Sequence, residues 1–349
     1  MTSEIINLST GPLNITHEVK QALGQSPISH RSPLFKKLYK DTTTFLSTSF
    51  SVKETFLLTG SGTLANEVML WQIKMQGSKG LILINGEFGS RLEEQARRTK
   101  LDFTTCQIEW GYDFDLAFIE LLINENQPDW VLFCHCETST GVINPLEEIT
   151  RLGKKYQFRC YADCMSTVGT RDLDLSGLAM ATASSGKGLA SVPGIAIIFS
   201  NVEVLPGEFM PIYLDLHHYK NNEGIPFTLS SNLLLALNTA IKQKLCPEQF
   251  ELTKKYWKAY SHILESNALL PFNNSQSMVF TVTPPEGTYK QFIASLTQQG
   301  IKCSYESNYL RERAWIQIAL FGYYTEEALA SALAALKTTC ESIQPVPLV

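Results

Sequence analysis

Asp163 and Lys187 stand 24 residues apart in a stretch made mostly of small and apolar side chains. Together they suit one chemistry. A lysine amine condenses with a carbonyl to a Schiff base, and a carboxylate holds a pyridine nitrogen protonated. Pyridoxal 5'-phosphate needs both partners to work as an electron sink. Asp163 closes the apolar segment from Phe158 to Ala162, and Lys187 lies in the small-residue run Ala183-Ser-Ser-Gly-Lys-Gly188.

Two such residues meet only if buried strands carry them to one edge of a sheet. The segments Phe56 to Leu58, Leu81 to Ile84, Trp130 to Phe133, Phe158 to Ala162, Ala179 to Ala183 and Ile195 to Phe199 read as short strands. Helical patterns separate several of them: Leu64 to Met75, Phe88 to Thr99, Leu116 to Asn124 and Leu146 to Tyr156. Asp113 or Asp115 and the Asn144-Pro145 pair supply start signals for the last two. This alternation predicts an α/β fold with a mostly parallel sheet and functional loops at the carboxyl ends of its strands. Past about residue 228 two long helical patterns, Leu229 to Leu245 and Gln249 to Leu264, change the character of the chain. Strands Met278 to Val282 and Trp315 to Leu320 then alternate with helices Tyr289 to Gln298 and Glu326 to Leu336, as in a small α+β domain. The expected division is an N-terminal segment over 1–25, a large α/β domain over 26–235 and a small domain over 236–349.

Composition excludes several classes. Of 349 residues 44% are apolar and 18% charged, with a formal net charge of −5 and no basic block, which argues against nucleic acid or anionic membrane as partner. No apolar run approaches the roughly 18 residues of a membrane helix, and the first residues do not read as a secretory signal. Eight scattered cysteines fit a reducing cytoplasm. Cys134-His135-Cys136 has no second ligand group at metal spacing, and on a strand its histidine faces away from the two thiols. No metal is expected.

Three further motifs surround the pair. Thr59-Gly-Ser-Gly-Thr63 ends a strand and opens a helix, where backbone N–H groups and two hydroxyls suit a phosphate dianion, although the same string serves as an ordinary turn. Asn85-Gly-Glu-Phe-Gly89 puts Phe88 where a ring stacks on a flat cofactor. His135-Cys-Glu-Thr-Ser-Thr-Gly141 is a dense polar cluster directly after a buried strand, and such groups need partners.

Read in order, these strings, with Tyr161-Ala-Asp-Cys-Met-Ser166 and the Val192-Pro-Gly194 turn, resemble the class V aminotransferases of fold type I. Within them the chain is most similar to 2-aminoethylphosphonate–pyruvate transaminases, then to alanine– and serine–glyoxylate aminotransferases. The resemblance implies a seven-stranded-type sheet domain and a homodimer with shared active sites. It implies that Lys187 carries the cofactor and shuttles a proton, that Asp163 holds the pyridine nitrogen and that Phe88 stacks on the ring. Thr138 would meet the phenolic oxygen; Ser61, Gly62 and Thr63 would take the phosphate, with Thr228 reaching it from the other subunit. The substrates implied are a small amino-acid or aminophosphonate-like amine and a keto acid.

Two positions depart from the family pattern. Gly186 precedes the lysine where the family carries Gln or Asn, a loss of about 1 kcal/mol of phosphate binding. Gln317 stands where the family has the arginine that clamps a substrate anion, and losing such a partner costs about 2–5 kcal/mol. Candidate substrate contacts are therefore Gly11 in the Ser9-Thr-Gly-Pro12 turn, Arg31, Arg313 and Gln317. Arg313 serves only if its strand begins early enough, Arg31 only from the N-terminal segment or across a dimer; otherwise the substrate lacks an anion there. A lyase or desulfurase on the same scaffold, and a non-catalytic relative, are the competing readings.

Overall fold

The computed structural model describes residues 5–76, 78–272 and 277–343. The first strand, β1 (Ile6–Asn7), is followed by helices α1 (His17–Leu23) and α2 (Pro33–Ser49). Then come β2 (Glu54–Thr59), α3 (Gly62–Met75), β3 (Lys79–Ile84), α4 (Glu87–Arg98), β4 (Asp102–Gln107), α5 (Leu116–Asn126) and β5 (Trp130–Cys134). A small hairpin, β6 (Cys136–Glu137) and β7 (Val142–Ile143), leads to α6 (Leu146–Tyr156), β8 (Arg159–Asp163), β9 (Met180–Ser184) and β10 (Ile195–Ser200). The chain continues through α7 (Leu216–Asn221), α8 (Ser231–Lys244) and α9 (Pro247–Ser266). It ends with β11 (Val279–Val282), α10 (Tyr289–Gln298), β12 (Ile301–Lys302), α11 (Asn308–Arg313), β13 (Ile316–Ala319) and α12 (Glu326–Ser342).

Seven strands form one sheet in the order β2-β10-β9-β8-β5-β3-β4, parallel except for β10, which runs against both neighbours. Alternation along β5 shows why both faces are dry. Val131 and Phe133 enter a core with α2, α5, α6 and α8, while Trp130, Leu132 and Cys134 enter another with α3 and α4. Each large side chain so buried contributes about 1.5–3 kcal/mol. Trp130 pairs with Gly80 across the sheet, and its indole fills the volume a side chain there would need: a Cβ on Gly80 would lie 2.1 Å from the ring.

The six expected strands are all present, as are the four expected helices between them. An unexpected strand, β4, lies at the sheet edge, where polar Asp102, Thr104 and Gln107 leave no apolar alternation to read. In the C-terminal region β11 pairs antiparallel with β13 under α9, α10 and α12. Ile6 and Asn7 join that region, pairing in parallel with Ile301 and Lys302. Strand β13 begins at Ile316, so Arg313 ends a helix and does not share the strand face of Gln317. Among the described residues no helix is long and apolar enough to cross a membrane.

Lys244 ends α8 fully buried, its Nζ donating to the Gly322 carbonyl at 2.7 Å. Burial depresses its pKa to about 7. A lysine so depressed adds stability that is fully present above its unfolded pKa and is lost as pH falls toward about 7. Urea unfolding of Lys244→Met should therefore show a flatter rise in stability between about pH 7 and about pH 10 than the parent. Equal slopes would remove this assignment.

Candidate active site

A cavity of about 380 Å³ opens at the carboxyl ends of β8 and β9 and gathers most of the residues singled out above. Asp163, Lys187, Phe88 and Thr138 line it, together with Gly11 and the Ser61-Gly62-Thr63 turn. Thr228, Arg31, Arg313 and Gln317 do not.

Asp163 is the last residue of β8 and is nearly buried, at 7% exposure. Its carboxylate accepts from Asn66 Nδ2 at 2.8 Å and from the Met165 amide at 2.9 Å. Asn66 is oriented in turn by Thr182, whose hydroxyl donates to Asn66 Oδ1 at 2.6 Å. Burial pushes the Asp163 carboxyl up; the Met165 and Asn66 donors, Lys187 and Arg91 oppose it. Sequence reasoning missed Asn66. Its signal was a polar side chain on the buried face of an otherwise apolar helix, beside Ala65, Val68 and Met69.

Lys187 lies three residues beyond β9 in a loop that ties itself down. Ser185 Oγ donates to the Val192 carbonyl at 2.6 Å, and the Ile195 amide donates to Ser185 Oγ at 3.1 Å. Lys187 Nζ donates to the Thr10 carbonyl at 2.7 Å. Burial lowers its pKa, with the Asp163 charge acting the other way, so the amine is moved toward its nucleophilic, neutral form. The loop also accounts for Gly186. A Cβ there would lie 2.7 Å from Pro193 Cγ and 2.9 Å from its Cα, so the packing of Pro193 leaves no room for a side chain. Gly11 backs onto the same loop with φ +120°, where a Cβ would lie 3.2 Å from the Gly186 carbonyl.

Ser61 starts α3 in extended conformation and makes no side-chain cap, so its hydroxyl leaves the helix start uncapped where Ser61, Gly62 and Thr63 line the cavity. Gly60 donates to the Gly194 carbonyl at 2.9 Å, which joins this turn to the lysine loop. Thr138 shares a 2.6 Å hydrogen bond with Ser166. Beside it, buried Glu137 accepts from the Phe88 amide at 3.1 Å, the Gly89 amide at 2.9 Å and Ser139 Oγ at 2.5 Å. One carboxylate thus fixes the start of α4, with Phe88, to the hairpin that carries Thr138. Its donors explain why the polar cluster after β5 is buried.

Gln317 is 0% exposed, and its amide is spent. Nε2 donates to the Thr138 carbonyl and to Thr281 Oγ1, and Oε1 accepts from the Tyr309 hydroxyl at 3.1 Å. Arg313 instead stacks over Trp110, 4.1 Å from its ring centroid, with Trp315 at 5.4 Å. Arg31 and Thr228 are exposed, and their segments meet where the Ile28 amide donates to Ser231 Oγ at 2.8 Å.

The donor set fits pyridoxal phosphate: a buried carboxylate, a partly buried amine and an open helix start face one cavity beside an aromatic ring. Removing Glu137 should loosen two walls at once. Glu137→Ala leaves buried N–H donors without acceptors and should cost about 3 kcal/mol or more in urea unfolding, while Glu137→Gln recovers part of it. A loss within experimental error for the alanine variant would deny the residue this role.

The chain's sequence relationships agree with that chemistry. The profile of the family described as Aminotransferase class-V matches residues 15–214. An uncharacterised aminotransferase of Methanocaldococcus jannaschii is 30% identical over 296 residues, 79% of this chain and 77% of that one. A 2-aminoethylphosphonate–pyruvate transaminase of Pseudomonas aeruginosa is 33% identical over 196 residues, about half of each chain (53% and 53%). The fold matches a solved alanine–glyoxylate aminotransferase from Nostoc sp. with a TM-score of 0.85 at 24% identity, over 97% of this chain and 96% of that one. With more than half its length inside the family profile, the chain belongs to the class V aminotransferases, which depend on pyridoxal phosphate.

Proposed function

We propose that this aminotransferase moves the amino group of a small amino-acid or aminophosphonate-like amine to a keto acid, using Lys187 and Asp163, in the cytoplasm and as a homodimer with shared sites. The observation that carries this reading is the buried Asp163 carboxylate and the Lys187 amine lining one cavity. When bound, the cofactor supplies an aldehyde carbon with which an amine condenses and a ring that withdraws electrons.

The chain's own residues then divide the work. Lys187 presents a partly buried amine of lowered pKa that holds the cofactor and afterwards moves a proton at the substrate carbon. Asp163, steered by Asn66 and Met165, keeps the ring nitrogen protonated. Phe88 covers a ring face, Thr138 meets the ring's oxygen, and the Ser61-Gly62-Thr63 turn takes the phosphate. Thr228 and Arg31 serve the neighbouring copy's cavity; their exposure on one edge supports this. So do Phe209, Ile212 and Leu34, large side chains left 87%, 60% and 61% exposed. The proposed domains are those drawn above, 26–235 holding the cofactor and 236–349 closing the substrate side behind the 1–25 segment. A desulfurase reading has little support: Cys136 is the cysteine lining the cavity, and burial raises its thiol to about 12.

Borohydride reduction of the cofactor-loaded protein, followed by peptide mapping, should place the adduct on Lys187. Lys187→Ala should lose that adduct and slow the amine half-reaction by about 10²–10⁴-fold. An adduct on another side chain, or none, would defeat the assignment. Reduction of the loaded enzyme's visible absorbance by an amine, restored by a keto acid, separates transfer from elimination.

A further inference from the structure

Among the described residues two cationic side chains line the cavity, Lys187 and Arg91. Lys187 is reserved for the cofactor in the reading above. Arg91 lies on α4, one turn beyond Phe88, with its guanidinium 4.9 Å from the Phe88 ring centroid and its side chain 47% exposed at the rim. Its ion-pair partner among the described residues is Glu87, 3.4 Å away and itself 34% exposed. An exposed pair at that distance restrains a guanidinium loosely and leaves most of its five N–H donors for another anion.

Among the described residues the inner wall offers no such group. Thr138 is paired with Ser166, and its carbonyl receives Gln317. Gln317 is neutral, walled off from the cavity and saturated by Thr281 and Tyr309. The Arg313 guanidinium is held against Trp110 and Trp315, outside the cavity. An anion attached to the amine-bearing carbon, which must sit beside Lys187, has no second cation beside it among the described residues of the inner wall. For an anion carried further from that carbon, Arg91 is the remaining cation in the cavity lining.

We infer that Arg91 reads the substrate's negative charge at the cavity rim, so that the preferred donors are primary amines bearing a phosphonate or carboxylate on a carbon beyond the one that holds the nitrogen. This rests on the aminotransferase reading above. Arg91 sets the preference among donors; the keto-acid acceptor, and the amino acid it becomes, bind at the inner wall with weaker affinity. The same guanidinium chemistry would suit the cofactor phosphate, so the test has to separate the two anions.

The test uses the cofactor-loaded enzyme, Arg91→Gln and Arg91→Lys. Three quantities are measured: the cofactor dissociation constant, the calorimetric affinity for ethylphosphonate, which carries the anion without an amine, and single-turnover amine consumption. The parent enzyme should saturate at lower concentrations of 2-aminoethylphosphonate and β-alanine than of L-alanine. Arg91→Gln should raise the half-saturating concentration of the first two, and weaken ethylphosphonate, by about tenfold or more. Cofactor affinity should hold, and Arg91→Lys should recover part of the loss. Equal saturation by L-alanine and β-alanine in the parent overturns the inference, as does an unchanged ethylphosphonate affinity in Arg91→Gln. Loss of cofactor affinity alone would assign the arginine to the phosphate and overturn it too. A parent protein that takes up no cofactor refutes the aminotransferase reading first, and this inference falls with it.

Discussion

Burying a carboxylate and an amine in the same cavity, without letting them satisfy each other, is the constraint around which this molecule is arranged. Taking either group out of water is costly unless something replaces the solvent. Here the replacements are separate. Asp163 receives the Asn66 amide and the Met165 N–H, and Lys187 gives its proton donor to the Thr10 carbonyl. Because β8 and β9 are neighbours in register, with Asp163 opposite Thr182, the strands deliver both groups to the same carboxyl end of the sheet. The turns after them hold the two side chains to their own partners.

Glycines stand where the walls of the cavity pack too closely for a side chain. Gly62 is packed against Met165, whose sulfur would lie 2.4 Å from a Cβ, and Gly186 lies against Pro193. The Gly186 position illustrates how packing and binding compete. A side chain there would gain a contact to an anion and lose the seat of Pro193, in a loop whose hydrogen bonds aim the lysine. Glu137 performs the opposite service, drawing the hairpin with Thr138 and the start of α4 together through a single buried carboxylate. It carries a raised pKa for the sake of that junction, burial outweighing its four donors.

The two-stranded sheet of β11 and β13 meets the loops of the seven-stranded sheet through neutral groups. Gln317 on β13 reaches the Thr138 carbonyl, and Tyr309 on α11 packs edge-on to Phe88 with centroids 6.4 Å apart. Neutral contacts of this kind join two units without the desolvation that a buried arginine would demand. They also remove charge from the inner substrate wall, leaving the rim as the place where charge is met.

The strands, the helices between them and the pair Asp163 and Lys187 were legible because each rests on local pattern: apolar runs of strand length, a carboxylate at a strand end, a lysine among glycines. Edge strand β4, two-residue β1 and β12, and six-residue α11 were not, since an exposed or very short element has too few buried positions to print a period. Helix α2 was passed over despite Ser32 and Pro33 at its start, because its Thr42-Thr43-Thr44 run has low helical preference and tertiary packing overrides it. What local pattern cannot contain is which distant groups share a partner. Asn66 meets Asp163 across 97 residues, Gln317 meets Thr138 across 179, and Arg313 stacks on Trp110 away from the cavity. Residue types set which chemistry was available; only the closing of the sheets decided which polar atoms are used up and which charge is left facing the substrate.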